Sequence, residues 1–196
     1  MSVNKLKTNK AMEAIKVIQY KQHVIKIFQD EDYNITSDNG DNEVFLLYYH
    51  RNFYITRKGF SEPKTMEDIK ALKKEYHLFT VYAYIHSGVV LSLGNDSYPF
   101  NDQWDVSSCG FILIKKGSGI RNHKKAAQAL IDEYNDILSG NVFGYEITFN
   151  DNEIDNCWGF VGDIDKSGII EEAQNIIDYE VTKNPIKFAE QLTLNL

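Results

Sequence analysis

Three short clusters of polar residues contain the side-chain types that hydrolytic enzymes use. They are His86-Ser87-Gly88, Trp104-Asp105 through Cys109, and Asp155 through Gly159. Each cluster adjoins a stretch of β-forming residues, so each is expected at the end of a strand. An imidazole can act as a general base, and a carboxylate can orient that base or hold a metal ion. His86, Asp105 and Asp155 are therefore the candidate catalytic residues of a small hydrolase or nuclease that depends on a metal ion or a thiol.

Cys109 and Cys157 are the two thiols that such an enzyme could use. Neither has a Cys or His neighbour at the spacing of a zinc site, and a chain of this size does not need a disulfide, so two free thiols are expected. Cys109 is not preceded by the glycine of a nucleophile elbow, although Cys109 or Ser107 could still attack a substrate if His86 approached. Free cysteines are among the most buried residue types, so Cys157 is predicted to be buried and inert.

Each cluster also has a purely structural explanation. His86 can end a strand, while Asp105 and its neighbouring serines can accept hydrogen bonds from loop N–H groups. Trp104 can pack on the core of the protein. Because the sequence contains no complete catalytic motif, these structural roles are favoured over catalysis.

One acidic segment partly matches a calcium-binding loop. Its candidate ligands are Asp163, Asp165, Ser167 and Glu171. The match ends at the twelfth position, where Gln174 replaces the required glutamate, and a strand is predicted where the entering helix should lie. A helix that begins near Ser167 explains the same residues. No cofactor is therefore expected, and a divalent metal ion is retained as the alternative.

The charge of the chain bears on its partners. It carries 28 acidic against 21 basic residues, a net charge of -7, whereas proteins that bind nucleic-acid backbones need clustered lysine and arginine. The one basic concentration consists of Lys115, Lys116, Arg121, Lys124 and Lys125. Direct binding of nucleic acid is therefore not expected, and a nucleic-acid-binding regulator that uses Lys124 and Lys125 is kept as an alternative. Acidity also suits a decoy that presents carboxylates to a nucleic-acid-binding protein.

The N-terminus lacks the apolar core of a signal peptide, and no apolar run approaches the length of a bilayer span. We therefore expect a cytoplasmic protein without a membrane partner. The 196 residues, of which 43% are hydrophobic, suffice for one core, so a single domain over residues 1–196 is predicted.

Hydrophobic periodicity and turn residues predict the elements that would position the clusters. Helices are predicted over 9–20, 65–76 and 126–138, around Ile169 to Ile177, and within 185–196, and the first lies in a helical extension over residues 1–20. Strands are predicted over 23–28, 44–49, 52–55, 78–85, 89–93, 110–116, 145–150 and 157–161. The expected fold is α+β, with a mixed, mainly antiparallel sheet of about five to seven short strands and about three to five helices packed on it.

The order of several motifs resembles a known family. The motifs include His23-Val24-Ile25-Lys26-Ile27, His50-Arg51, Tyr84 with His86-Ser87-Gly88, Trp104-Asp105, Gly110-Phe111-Ile112, and Asp155 with Cys157-Trp158-Gly159-Phe160. Together they resemble a family of small proteins that bacteriophages, plasmids and integrative elements carry, and the resemblance covers roughly residues 20 to 180. The family pattern has an apolar residue where this chain has Cys109, which weakens Cys109 as a nucleophile.

The resemblance implies a genetic context and no reaction. Genes of this kind travel with accessory genes, many of which blunt host restriction or CRISPR systems. The resemblance therefore implies a non-catalytic protein, in the cytoplasm of a bacterial host, that binds and inhibits a host defence protein or complex. The candidate binding residues are His50, Trp104, Asp105 and Trp158. The sequence leaves a homodimer open.

Overall fold

The computed structural model describes residues 13–35, 43–50, 53–85, 88–94 and 106–183. It confirms the α+β class, since these ranges contain three helices and nine strands, and all strand pairs are antiparallel. The chain divides into two compact units. The first unit combines Met1–Glu31 with Val142–Leu196, and the second unit is Asp32–Asn141.

Strands outnumber helices, and both are short. The strands are β1 Lys16–Tyr20, β2 His23–Gln29, β3 Val44–His50, β4 Phe53–Ile55, β5 Tyr76–Ile85, β6 Val89–Leu93, β7 Val106–Lys115, β8 Val142–Phe149 and β9 Asn152–Val161. The helices are α1 Met66–Glu75, α2 His123–Leu138 and α3 Ile169–Lys183.

The first unit is a four-stranded sheet in the order β1-β2-β8-β9, with α3 on one face. Two two-residue turns close its hairpins. Lys21 and Gln22 have φ values of 45° and 66°, and Asn150 and Asp151 have values of 50° and 59°. Two successive positive φ values are typical of the turn type whose twist matches paired strands. The core under α3 consists of Ile25, Ile27, Tyr145, Ile147, Ile169, Ala173 and Ile177.

The second unit is a five-stranded sheet in the order β4-β3-β7-β5-β6. Apolar residues on both faces of β3 are buried, because α2 packs on one face and α1 with Phe60 packs on the other. The central strands approach very closely at Gly110, where an added Cβ would lie 2.1 Å from the Leu47 carbonyl oxygen. A side chain at position 110 would therefore force β3 and β7 apart.

Two helices have the signals that predict them from sequence. α1 begins with a capping box, in which Thr65 and Asp68 exchange side-chain and backbone hydrogen bonds. α2 buries its apolar stripe, which consists of Ala127, Leu130, Ile131 and Tyr134. Gly140, with a φ of 79°, follows the end of α2 and allows the chain to leave the helix.

Two expectations differ from the structure. The helix predicted over 9–20 is wrong for Lys16–Tyr20, which form β1, because the Lys21–Gln22 turn folds this segment back onto β2. Instead of one sheet of about five to seven strands, the chain forms two sheets, of four and five strands, and each has its own hydrophobic cluster. The helix predicted within 185–196 lies outside the described residues. Across the described ranges, no helix has both the length and the apolar character of a bilayer span.

Candidate functional site

Trp158 lies on the face of the first sheet that α3 does not cover, and a bulge places it there. Phe143 pairs with Phe160 and Gly144 pairs with Trp158, so Gly159 is an extra residue in β9. Gly159 has a φ of 90°, which suits glycine at a bulge. Regular alternation would put Trp158 and Phe160 on one face of the strand. The bulge separates them, so that Phe160 packs under α3 and Trp158 faces away from it.

The indole ring of Trp158 packs directly against Gly144. A Cβ added to Gly144 would lie 2.2 Å from the Trp158 ring, so only glycine leaves room for the ring at this position. On the next strand Phe28 stacks with Trp158, with 6.1 Å between ring centroids. The Trp158 residue is nevertheless 40% exposed. The sheet thus holds a large aromatic ring in place while leaving part of it open to a partner.

Polar and acidic residues border this ring. Asn156 and Glu153 are exposed on β9, and the Asn156 amide donates a 2.6 Å hydrogen bond to the Glu153 carboxylate. Glu146 pairs with Asn156 across the strands. We call Phe28, Gly144, Asn156 and Trp158 the Trp158 surface. On its other side Glu146 pairs with Lys26, so the aromatic centre is bordered by polar and charged side chains, which suits recognition of a protein surface.

Asp155, a candidate catalytic residue, accepts a 3.2 Å hydrogen bond from the hydroxyl of Tyr145. Burial and the Asp155 carboxylate both raise the pKa of Tyr145, so its hydroxyl stays protonated and remains a donor. Cys157 pairs with Tyr145 across the strands and is exposed, which makes the prediction of a buried Cys157 wrong. The physical reason is that β9 is an edge strand, whereas the core under α3 is centred on β2 and β8.

Cys109, on β7, is buried in the hydrophobic cluster of the second unit and has little nucleophilic character. Burial raises the pKa of its thiol to about 11, although the Tyr48 hydroxyl and the Ala83 backbone partly offset this effect. The thiolate is the reactive form of cysteine, so a thiol with this pKa is almost entirely unreactive at neutral pH. Both cysteines are free thiols, as expected from their spacing.

The candidate calcium ligands form a turn and the start of a helix. The Asp163 carboxylate accepts a 3.0 Å hydrogen bond from the Asp165 N–H, and Asp165 forms an ion pair with Lys16. The Ser167 N–H donates to the Asp163 carbonyl at 2.8 Å, and Glu171 lies in the first turn of α3. Among the described residues, no three His, Cys, Asp or Glu side chains are grouped closely enough to hold a metal ion.

The remaining predicted residues are distributed as follows. His50 ends β3, where it pairs with Phe53, and its ring lies 6.2 Å from that of Tyr48. His86, Trp104 and Asp105 lie outside the described residues. Asp155 and Trp158 belong to the first unit, and His50 belongs to the second.

The basic cluster lies at the end of β7 and the start of α2. The Lys116 ammonium donates a 2.6 Å hydrogen bond to the Lys73 carbonyl. His123 stacks on His77 with 3.9 Å between ring centroids. Burial, followed by the charges of His123 and Lys116, lowers the pKa of His77. The charge of Lys116, a member of this cluster, thus disfavours protonation of His77.

Sequence reasoning identified Trp158 and missed the residues that support it. Gly144 carried a usable signal, because a glycine inside a predicted strand often marks a close approach of another group. Phe28 carried no such signal, since its contact with Trp158 depends on the order of the strands in the sheet.

The chain matches no protein-family model, no curated protein and no solved structure.

Proposed function

We propose that this chain is a non-catalytic binding protein whose partner is a bacterial defence factor, such as a restriction nuclease or a CRISPR effector complex. The observation that carries the binding role is the partly exposed Trp158 ring, held over Gly144 and against Phe28. Tryptophan is enriched among the residues that dominate the free energy of protein association. A ring that is already fixed loses little conformational freedom when a partner covers it.

Charge supports the class of partner. The chain has a net charge of -7, and the carboxylate of Glu153, which accepts a hydrogen bond from Asn156, lies beside the Trp158 surface. Defence proteins that handle nucleic acid need basic surfaces to bind phosphates. An acidic protein is attracted to such surfaces, and carboxylates at the border of the contact speed association.

The resemblance to proteins of mobile elements supports the biological setting. An accessory protein that enters a bacterium with foreign DNA benefits its element by blocking the systems that destroy that DNA. The motif Cys157-Trp158-Gly159-Phe160 is part of the resemblance and also builds the Trp158 surface. The same residues thus support both the binding role and the biological setting.

The first experiment compares two aromatic substitutions in bacteria that carry active restriction or CRISPR systems. Trp158→Ala should abolish protection of an invading phage, because it removes the centre of the Trp158 surface. Tyr179→Ala is the matched control, since Tyr179 is also an exposed aromatic residue, at 61%, but lies on α3. Phage plating efficiency with wild-type protein, Trp158→Ala and Tyr179→Ala gives the comparison.

The second experiment measures binding to purified restriction nucleases and CRISPR effector complexes by biolayer interferometry. We expect the wild-type protein and Tyr179→Ala to bind, and Trp158→Ala to lose at least tenfold in affinity. A tenfold loss corresponds to about 1.4 kcal/mol of binding free energy. No binding to any of these complexes, together with unchanged phage survival, would overturn the proposal.

The hydrolase alternative makes a different prediction. If His86, Asp105 and Asp155 acted on a substrate, the double variant His86→Ala/Asp105→Asn would lose the phenotype while keeping its affinity for the defence factor. A double variant that keeps both the phenotype and the affinity would exclude the hydrolase alternative. The same plating and interferometry measurements separate the two functions.

A further inference from the structure

A cavity of about 340 Å³ opens between α1 and the segment 59–63 that leads into this helix. The residues that line it from the helix share one face, since residues three or four positions apart are neighbours on a helix. They are Asp68, Ala71, Leu72 and Glu75. α1 has no buried residue, whereas α2 buries four residues and α3 buries three, so α1 leaves this space open. The volume lies in the lower part of the range of about 300–1,000 Å³ that is usual for ligand sites.

The apolar part of the cavity wall belongs to a fixed cluster of aromatic rings. Phe60 and Tyr76 line the cavity, and their rings meet edge to face with 5.7 Å between centroids. Both rings also pack on Phe45, at 4.9 Å and 5.7 Å. The Arg57 guanidinium lies 4.5 Å from the centroid of the Phe45 ring, so the cluster already accepts one cation. These rings offer an incoming apolar group a preformed surface.

The charged groups that line the cavity are acidic. Within the described chain, the lining includes Asp68 and Glu75 and no Lys, Arg or His. The Asp68 carboxylate is already engaged, because it accepts hydrogen bonds of 2.9 Å from the Thr65 and Lys64 N–H groups. These bonds lower the pKa of Asp68, so this carboxyl group stays ionised at neutral pH. The cavity therefore attracts cations and repels anions.

Glu75 provides the carboxylate that a ligand can use. It is the last residue of α1, where the helix carbonyl groups concentrate negative charge and a carboxylate is disfavoured. The Lys116 ammonium approaches this end of the helix, but it donates its hydrogen bond to the Lys73 carbonyl. Among the described residues, the Glu75 carboxylate has neither an ion pair nor a hydrogen bond. A cation in the cavity would offset a charge that these residues leave unpaired.

We infer that this cavity binds an organic cation, in which an ammonium or guanidinium group is carried on an apolar stem. The stem packs against Phe60, Leu72 and Tyr76, and the charged group pairs with Glu75. An uncharged ligand of the same shape would cover the Glu75 carboxylate without giving it a partner, which costs free energy. The cation can come from two sources, a free amine or a lysine or arginine side chain of another protein.

The first experiment titrates the full-length protein with pentylamine and with agmatine, and follows the backbone amide signals by nuclear magnetic resonance. Pentanol is the uncharged control with the same stem as pentylamine. The titrations extend to millimolar concentrations, because ligands of this size bind weakly. The amide signals of Gly59, Ala71 and Tyr76 should shift to saturation with the cations and much less with pentanol.

Blocked amino acids distinguish the two sources of the cation. Acetyl-lysine amide and acetyl-arginine amide carry the charged side chains as a protein presents them. Saturable shifts with pentylamine or agmatine support a free amine as the ligand. Saturable shifts with the blocked amino acids alone support a side chain of a partner protein.

Substitutions on α1 test the assigned contacts. Glu75→Gln should weaken cation binding by at least about threefold, since it removes the paired charge. Ala71→Leu should weaken it by filling the cavity. Glu67→Gln is the matched control, because Glu67 is an exposed carboxylate of the same helix that lies 4.0 Å from the Lys70 ammonium and does not line the cavity. It should bind as the wild type does, and the amide spectrum of each variant verifies its fold.

Three results would overturn the inference: no saturable shift with any of these cations, equal affinity for pentanol and pentylamine, or unchanged binding by Glu75→Gln. Cation binding does not depend on the proposed function, because the cavity belongs to the second unit and Trp158 to the first. Trp158→Ala should therefore bind pentylamine normally, even if it no longer protects a phage.

Discussion

The Asn135 carboxamide forms both hydrogen bonds that a neighbouring strand would offer to Leu91. Its oxygen accepts from the Leu91 N–H at 2.8 Å, and its nitrogen donates to the Leu91 carbonyl at 3.0 Å. This pair fastens α2 to β6 and closes one edge of the second sheet. Asparagine is suited to the position because its side chain carries one donor group and one acceptor group side by side.

Asn135→Ala should therefore lower the free energy of unfolding by about 1–3 kcal/mol, since it leaves two partly buried backbone groups without partners. Asn135→Asp keeps the acceptor but sets a carboxylate oxygen against the Leu91 carbonyl, so it should not restore the stability. Urea unfolding followed by circular dichroism measures both. Gln128→Ala on the exposed face of α2 is the control and should change little. Equal stability of Asn135→Ala and Gln128→Ala would show that the paired bonds contribute nothing.

Gly144→Ala should destabilise the protein by about 1–3 kcal/mol, because the new methyl group overlaps the Trp158 ring. Part of the cost should disappear when Trp158→Ala is also present, so a double-mutant cycle should give a coupling energy. The rest should remain, because the added Cβ would still lie 2.9 Å from the Cys157 carbonyl oxygen. Gly88→Ala is the control, since no atom lies within 4 Å of the added Cβ. If the effects of Gly144→Ala and Trp158→Ala on the free energy of unfolding were additive, the packing of the indole against Gly144 would be contradicted.

The stability of the protein should fall as the pH drops through about 6.5, the ordinary pKa of histidine. Burial, followed by the charges of His123 and Lys116, lowers the pKa of His77 in the folded state. The unfolded chain therefore takes up this proton at a higher pH than the folded chain does. The neutral His77 imidazole therefore contributes fully to the folding stability above the pKa that histidine has in the unfolded chain. This contribution is lost as the pH falls below that value.

His77→Gln should reduce this dependence, and unfolding free energies measured from neutral to mildly acidic pH give the comparison. His123→Gln removes one of the charges that act on His77 and should have a partial effect. If the unfolding free energies of the wild type and of His77→Gln changed with pH in parallel, His77 would be excluded as the source of the pH dependence.

The two thiols should differ sharply in reactivity. Cys157 is exposed, whereas Cys109 is buried and its pKa is raised to about 11. An aromatic disulfide reagent should therefore modify one thiol rapidly in the native protein and two after denaturation. Native Cys157→Ser should show no rapid reaction. A rapidly reacting thiol in native Cys157→Ser would mean that Cys109 is accessible.

Local sequence was sufficient for the elements whose stability is local. Thr65 with Asp68 predicted the start of α1, and the apolar stripe that includes Leu130 and Tyr134 predicted α2. Capping and helical periodicity act within a few residues, so they are visible in the chain itself. The α+β class followed from the alternation of such segments with β-rich runs. The identity of Trp158 as a residue of interest also came from the sequence.

Tertiary structure decided the features that depend on distant partners. The apolar residues of 9–20 suit a helix as well as a strand, and pairing with β2 selected the strand over Lys16–Tyr20. The bulge at Gly159 set which face Trp158 occupies, and the order of strands brought Phe28 and Gly144 to it. Asn135 meets Leu91 across 44 positions of the chain. Such contacts arise only when the sheet has formed, because their stabilisation comes from neighbours that local sequence does not specify.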